Sequence, residues 1–121
     1  MNENKFLETY LEKFIELVEF QKKNIEKLLM VKDILVQQNQ NNKKAIIFGN
    51  GGSAAIASHF SVDLTKNAKI KTINFNESDL ITCFANDYGY ENWCKEALNF
   101  YGDKGDLLIL ISCSGNSKNL I

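Results

Sequence analysis

The stretch Ile46-Ile47-Phe48-Gly49-Asn50-Gly51-Gly52-Ser53 decides how this chain is read. Its first three residues are apolar and two are β-branched, the composition of a buried strand. The run stops at three glycines and an asparagine, residues that tolerate positive φ and let a ligand come close to the backbone. Ser53 is placed to cap the next segment, Ala54-Ala55-Ile56-Ala57-Ser58-His59-Phe60, which reads as a helix continuing to about Lys66. A strand, a glycine-rich turn and a helix start gather backbone N–H groups at a positive dipole end, where an anion can sit. A tight strand-to-helix turn with no ligand has the same signature, and one glycine motif alone does not separate the two.

A second stretch repeats the arrangement. Asp106-Leu107-Leu108-Ile109-Leu110-Ile111 reads as another buried strand, and it ends in Ser112-Cys113-Ser114-Gly115-Asn116-Ser117. Both turns follow strands, both contain Gly-Asn and both end in serine. Two such turns suit a phosphate held from two sides, by hydroxyl and backbone donors rather than by a fixed cation.

The rest of the chain supplies the frame. Residues 5–38 read as helix, with Leu7, Leu11, Phe14, Val18, Gln21, Ile25, Leu28, Lys32 and Leu35 spaced by threes and fours. Gln21 and Lys32 interrupt this seam and are the candidate break points between two helices. Phe6, Tyr10, Leu17, Leu29, Val31 and Ile34 widen the apolar face, which suits either intramolecular core or contact with another subunit. The polar run 37–44 reads as a loop. Residues 70–75 alternate apolar and polar, as a half-buried strand does. Asn76, Glu77, Ser78 and Asp79 offer caps for a short helix over 80–86, broken by Asp87-Tyr88-Gly89. A helix over 90–100 follows, with Trp93, Ala97 and Phe100 facing inward and Cys83 and Cys94 read as core. A further helix start is expected at Ser117.

Alternating strands and helices imply parallel strands joined by crossovers. The expected fold is α/β: an N-terminal helical segment over 1–42, then a flavodoxin-like doubly wound sheet over 43–121. In the strand order 2-1-3, the first and third strands are neighbours, so both glycine-serine turns open on one crevice. Three strands leave such a sheet incomplete, so a truncated domain, or one completed by another chain, is expected.

Composition narrows the class. The chain has 121 residues, 45% of them hydrophobic, and a formal net charge of −1 from mixed acidic and basic residues. That is one small domain without the basic excess of a nucleic-acid or membrane-surface protein. No apolar run is long enough to span a bilayer, and the charged N-terminus does not read as a signal peptide. Three cysteines without CxxC spacing suit a reduced, cytoplasmic setting.

Four motifs in order now resemble a known family. Gly49-Asn50-Gly51-Gly52-Ser53-Ala54-Ala55, His59-Phe60 with Asp63-Leu64, Asn86-Asp87-Tyr88-Gly89-Tyr90, and Gly105-Asp106 with 111–119 are similar to the phosphoheptose isomerases of the sugar isomerase (SIS) fold. The resemblance covers the chain from its N-terminal helices to its end. It implies isomerisation of sedoheptulose 7-phosphate to D-glycero-D-manno-heptose 7-phosphate, toward the heptose of bacterial lipopolysaccharide. It implies a homotetramer with sites between subunits. It places the sugar phosphate on Ser53, Ser112, Ser114 and Ser117, with Asn50, Gly51 and Gly52 in the same turn, and it places Asp87 near the substrate. Read from sequence alone, Asp87 is equally a turn or cap residue.

By the same resemblance Asp63 stands where the family carries its glutamate base. The shorter side chain retracts the carboxylate by about 1.5 Å, a displacement that can cost about a hundredfold in rate. Cys113 replaces the usual threonine, and Asn67 stands where an arginine is common. The family's second half, with its general-acid histidine, is not in these 121 residues, so the chain alone is expected to be inactive. No cofactor is required, although some members bind zinc. His59 and Asp63, four apart on one helix face, are half of a four-coordinate site. The plainer reading leaves His59 as a helix-face residue near the crevice. The alternative function is a non-catalytic SIS module that binds a phosphosugar or a protein such as a replication initiator.

Overall fold

The apolar run at 46–48 forms the centre of a three-stranded parallel sheet. In the computed structural model, which describes residues 2–121, β1 (Ala45–Gly49) lies between β2 (Thr72–Asn74) and β3 (Leu107–Ile111). Ile46 pairs with Ile73 and Leu108, and Gly49 with Ile111. All five β1 residues are buried, because a central parallel strand has neighbours on both edges and cover on both faces. Successive side chains leave a strand on opposite faces. Ala45 and Ile47 therefore join Ala57 and Leu64 of α3 (Gly52–Lys66) and Ile70 in one core. Ile46 and Phe48 join Phe75, Trp93, Cys94, Ala97 and Leu120 in the other. The Phe48 ring lies 5.5 Å from Phe75 and 5.4 Å, edge-on, from Trp93. The second core is packed by α4 (Ser78–Tyr88) and α5 (Trp93–Tyr101), so the sheet is doubly wound in the expected order.

The N-terminal segment is α1 (Glu3–Phe20), one 3-10 turn (Gln21–Asn24) and α2 (Ile25–Gln40). Of the two candidate break points, Gln21 is the one used, and Lys32 lies within α2. The chain divides into two compact units, one ending at Ile34 and the other spanning Leu35–Ile121. In the first unit the seam residues Leu7, Leu11, Phe14 and Val18 are exposed.

Several local expectations are corrected. Ser53 does not cap α3: the helix starts at Gly52, with Gly51 at the N-cap position and no side-chain cap. The strand expected over 70–75 has three residues. Beyond Asn74 the chain turns away from the sheet, where Asn76 Nδ2 donates to the Ala54 carbonyl (2.8 Å) and Asn74 Nδ2 donates to Ser61 Oγ (2.6 Å). Asp87 and Tyr88 continue α4 rather than breaking it. The break falls at Gly89, whose φ of 86° lies in the left-handed region. Glu77 takes the α4 N-cap position, with no side-chain cap bond. Trp93, Ala97 and Cys94 are buried as expected, but Phe100 and Cys83 are exposed. Strand β3 alternates instead of being buried throughout: Leu108 and Leu110 are exposed on the face opposite α3. Residues 117–120 form a single turn closed by Leu120 N–H to the Ser117 carbonyl (2.8 Å), with no helix.

Candidate functional site

Two glycines shape the first turn. A Cβ at Gly49 would lie 2.5 Å from the Ser53 carbonyl carbon and oxygen, so only glycine lets β1 run this close under the start of α3. Gly51 has φ of 53°, which reverses the chain into the helix. The N–H groups of Ser53, Ala54 and Ala55 are taken by the Asn50 and Gly51 carbonyls within the turn. An anion at this turn would therefore meet the helix-dipole end and hydroxyls brought from elsewhere rather than these three N–H groups.

Those hydroxyls come from the end of β3. Because β1 and β3 run parallel in register, their C-terminal turns emerge side by side. They border one cavity of about 410 Å³, lined among others by Asn50, Gly52, Ser53, Ser112, Ser114 and Ser117. Ser112 Oγ is the hub, 3.5 Å from Ser114 Oγ and 3.4 Å from Ser117 Oγ. The Gly115 N–H donates to Ser112 Oγ (3.0 Å) and the Asn116 N–H donates to Ser114 Oγ (3.2 Å). Ser112 Oγ and Ser114 Oγ each accept from backbone, and the three hydroxyl protons are shared within the cluster or offered to an acceptor. A group that only accepts, such as a phosphate, matches that set. Among the described residues, no lysine or arginine lines the cavity. Ser53 is nearly buried, and its Oγ meets Cys113 Sγ at 3.8 Å, so the thiol ties the two turns together as a weak partner.

His59 and Asp63 lie further along α3 and line a separate depression with Ala55, Ile56 and Phe60; Ile56 borders both cavities. Asp63 Oδ1 accepts from Asn67 Nδ2 (3.1 Å), and Oδ2 lies 3.5 Å from His59 Nε2, an ion pair when the imidazole is protonated. Asn67, at the position where the resembled family commonly carries an arginine, thus holds one carboxylate oxygen. For zinc the fit is incomplete: among the described residues no group of three or more His, Cys, Asp or Glu side chains could hold a metal ion. His59 and Asp63 by themselves supply two ligands of a four-coordinate site.

Asp87 is not brought to the paired turns. It sits in the last turn of α4, on a cavity lined by Cys83, Phe84, Tyr88, Phe100 and Tyr101. Its carboxylate accepts from Asn86 Nδ2 (2.9 Å) and from the Cys83 thiol (3.7 Å), and its charge pushes the Cys83 thiol up. Ile56, Tyr90 and Asn119 are the site residues that sequence reasoning passed over. Tyr90 and Asn119 both reach Asn50, and both fall inside the quoted motifs, which was the only signal they carried.

With this geometry in place, comparison with known proteins is specific. A family model described as the SIS domain matches residues 9–121. The chain is 39% identical over 110 residues to the phosphoheptose isomerase of Helicobacter pylori (strain P12), covering 83% of this chain and 57% of that protein. It is 37% identical over 116 residues to the phosphoheptose isomerase of Cytophaga hutchinsonii, covering 92% and 59%. The chain thus spans somewhat over half the length of these relatives. Among solved structures it is similar to phosphoheptose isomerase GmhA from Neisseria gonorrhoeae, with a TM-score of 0.87 and 28% identity over 99% of this chain and 65% of that one. A phosphoheptose isomerase from Francisella tularensis gives a TM-score of 0.90 at 26% identity, over 98% and 65%.

Proposed function

The chain belongs to the SIS-domain family, and from that premise we propose that it binds a phosphorylated sugar between its two turns and serves an aldose–ketose isomerase. The observation that carries this reading is the convergence of Ser112, Ser114 and Ser117 hydroxyls on the cavity beside the start of α3. The phosphoheptose isomerases it resembles point to sedoheptulose 7-phosphate as substrate and D-glycero-D-manno-heptose 7-phosphate as product. In this reading the protein works as a homo-oligomer in the cytoplasm, in the pathway toward lipopolysaccharide heptose. No described helix is long and apolar enough to cross a membrane.

Aldose–ketose isomerisation moves one proton between adjacent carbons and a second between the oxygens they carry. The phosphate anchors the sugar at the paired turns, and the sugar extends along α3. Asp63 takes a proton from the carbon next to the carbonyl and returns it to the neighbouring carbon. The intermediate enediolate carries its charge on oxygen and needs aimed donors. Asn67 keeps Oδ1 of Asp63 hydrogen-bonded, which restricts the carboxylate, while Oδ2 faces His59 Nε2 at 3.5 Å.

The test is turnover of sedoheptulose 7-phosphate by the full-length protein and by its Asp63→Asn variant. Asparagine keeps the shape and removes the base, so turnover should fall by about 10²–10⁴ while substrate still binds. Normal turnover in Asp63→Asn would place the base elsewhere. Wild-type protein that binds the sugar phosphate and never isomerises it would establish the non-catalytic reading, which the shortened carboxylate at Asp63 favours.

A further inference from the structure

We propose that Asn119 is a positioning residue for the anion cavity: its amide pairs with that of Asn50 and latches the serine-rich turn to the glycine turn. The inference rests on the reading of that cavity as an anion site. Asn50 Nδ2 donates to Asn119 Oδ1 (2.8 Å), and Asn119 Nδ2 donates back to Asn50 Oδ1 (2.9 Å). The Tyr90 hydroxyl donates to the same Asn50 oxygen (3.2 Å), and Asn119 Nδ2 also reaches Cys94 Sγ (3.5 Å). Both lone pairs of Asn50 Oδ1 and both protons of Asn119 Nδ2 are therefore used. Asn119 is only 7% exposed, so losing the Asn50 amide leaves the Asn119 carbonyl oxygen buried without its donor.

Asn119 does not line the cavity, whereas Asn50 does. Its effect is transmitted along the chain. The neighbouring Leu120 is buried in the core with Phe48 and Trp93, and its N–H closes the turn onto the Ser117 carbonyl. Ser117 Oγ in turn lies beside Ser112 Oγ, the hub of the hydroxyl cluster. The turn at 117–120 is thus held by Leu120 in the core and by Asn119 on the glycine turn. The hydroxyls keep their spacing because of a residue that touches no ligand. Asn50 then acts through this latch, with its side-chain carbonyl committed to Asn119 and Tyr90.

The experiment is calorimetric titration of the full-length protein with sulfate, an anion whose charge stays constant over the pH range used. Asn50→Ala and Asn119→Ala should each weaken sulfate by about tenfold, and the double variant should be no weaker than either single one. Asn119→Asp preserves shape and supplies a readout even where alanine fails to fold. At about pH 8 the introduced carboxylate cannot donate to Asn50, and binding should be weak. As pH falls through the ordinary aspartate value of about 3.9, protonation restores the donor, and affinity relative to wild type should recover, which Asn119→Ala should not do. Effects of Asn50→Ala and Asn119→Ala that multiply would make Asn50 a direct ligand and overturn the latch. Wild-type affinity in the Asn119 variants would also overturn it, with the anion site left standing. Wild-type protein that takes up no sulfate would overturn the anion reading itself, and the latch with it.

Discussion

At the residue scale the site is a problem of where protons point. Ser112 and Ser114 accept hydrogen bonds from backbone N–H groups of their own turn and line one cavity, so their O–H protons can go to an acceptor there. Removing two of the three hydroxyls should therefore cost more than a loss of polarity. Hydrogen bonds to a charged acceptor contribute about 1.5–3 kcal/mol each. Ser114→Ala combined with Ser117→Ala is expected to weaken a sugar phosphate by about a hundredfold or more, measured by calorimetry. Unchanged affinity would move the phosphate to another part of the molecule. The cysteines divide by environment in the same way. Burial pushes the Cys94 thiol up to about 12, which keeps it in the unreactive protonated form.

At the element scale the sheet is pinned at the end opposite the site. The Lys44 N–H donates to Asp106 Oδ1 (3.0 Å), and the Asp103 N–H donates to Asp106 Oδ2 (2.8 Å). The Lys44 ammonium bridges Asp106 (2.6 Å) and Asp103 (2.7 Å), tying the start of β1 to the start of β3. Burial alone would raise the Asp106 carboxyl, but the Lys44 ammonium and the two backbone donors outweigh it and hold the group below its ordinary 3.8. Hydrogen bonds to Asp103 and Asp106 hold Lys44 above its ordinary 10.5. The sign follows from linkage. The Asp106 contribution is present above its unfolded value and is lost as pH falls through the lowered folded value. The Lys44 contribution is complete below its unfolded value and is lost as pH rises through the raised folded one. Asp106→Asn should cost about 2 kcal/mol in urea unfolding at neutral pH. That gap to wild type should narrow on acidification below the ordinary value of Asp106. A gap that stays constant into acid would show that the carboxylate charge does not hold the clamp.

At the scale of the whole molecule the N-terminal helices carry apolar surface that their own unit does not bury. Phe6, Leu7, Tyr10, Leu11, Phe14 and Val18 are all exposed along α1, and Leu28, Leu29 and Val31 along α2. Contiguous apolar faces of this kind mark association surfaces. We expect sedimentation at micromolar concentration to give a dimer or tetramer. Leu11→Glu together with Phe14→Glu should shift the population toward monomer, since each places an unpaired charge in the apolar seam. A wild-type monomer that stays folded across the same range would contradict the expectation.

What the sequence by itself determined was local. Continuous apolar runs at 46–48 and 107–111 marked parallel strands, and the Gly-Asn turns after them marked where a ligand could enter. Strand–helix alternation implied parallel strands, and the flavodoxin-like order expected for them, 2-1-3, is the order of the sheet. These features follow from periodicity and turn chemistry over a few residues. The tertiary structure alone decided which side chains meet. Asn50 and Asn119 are 69 positions apart, and only the register of β1 on β3 brings their amides together. The same register joins Ser53 to Cys113, while the run of α3 leaves His59 and Asp63 on the neighbouring depression and the length of α4 carries Asp87 to a different cavity. Leu108 and Leu110 are indistinguishable in sequence from their partly buried neighbours, yet they are exposed. An apolar run records that a strand can be buried, and only the packed helices determine which face is covered.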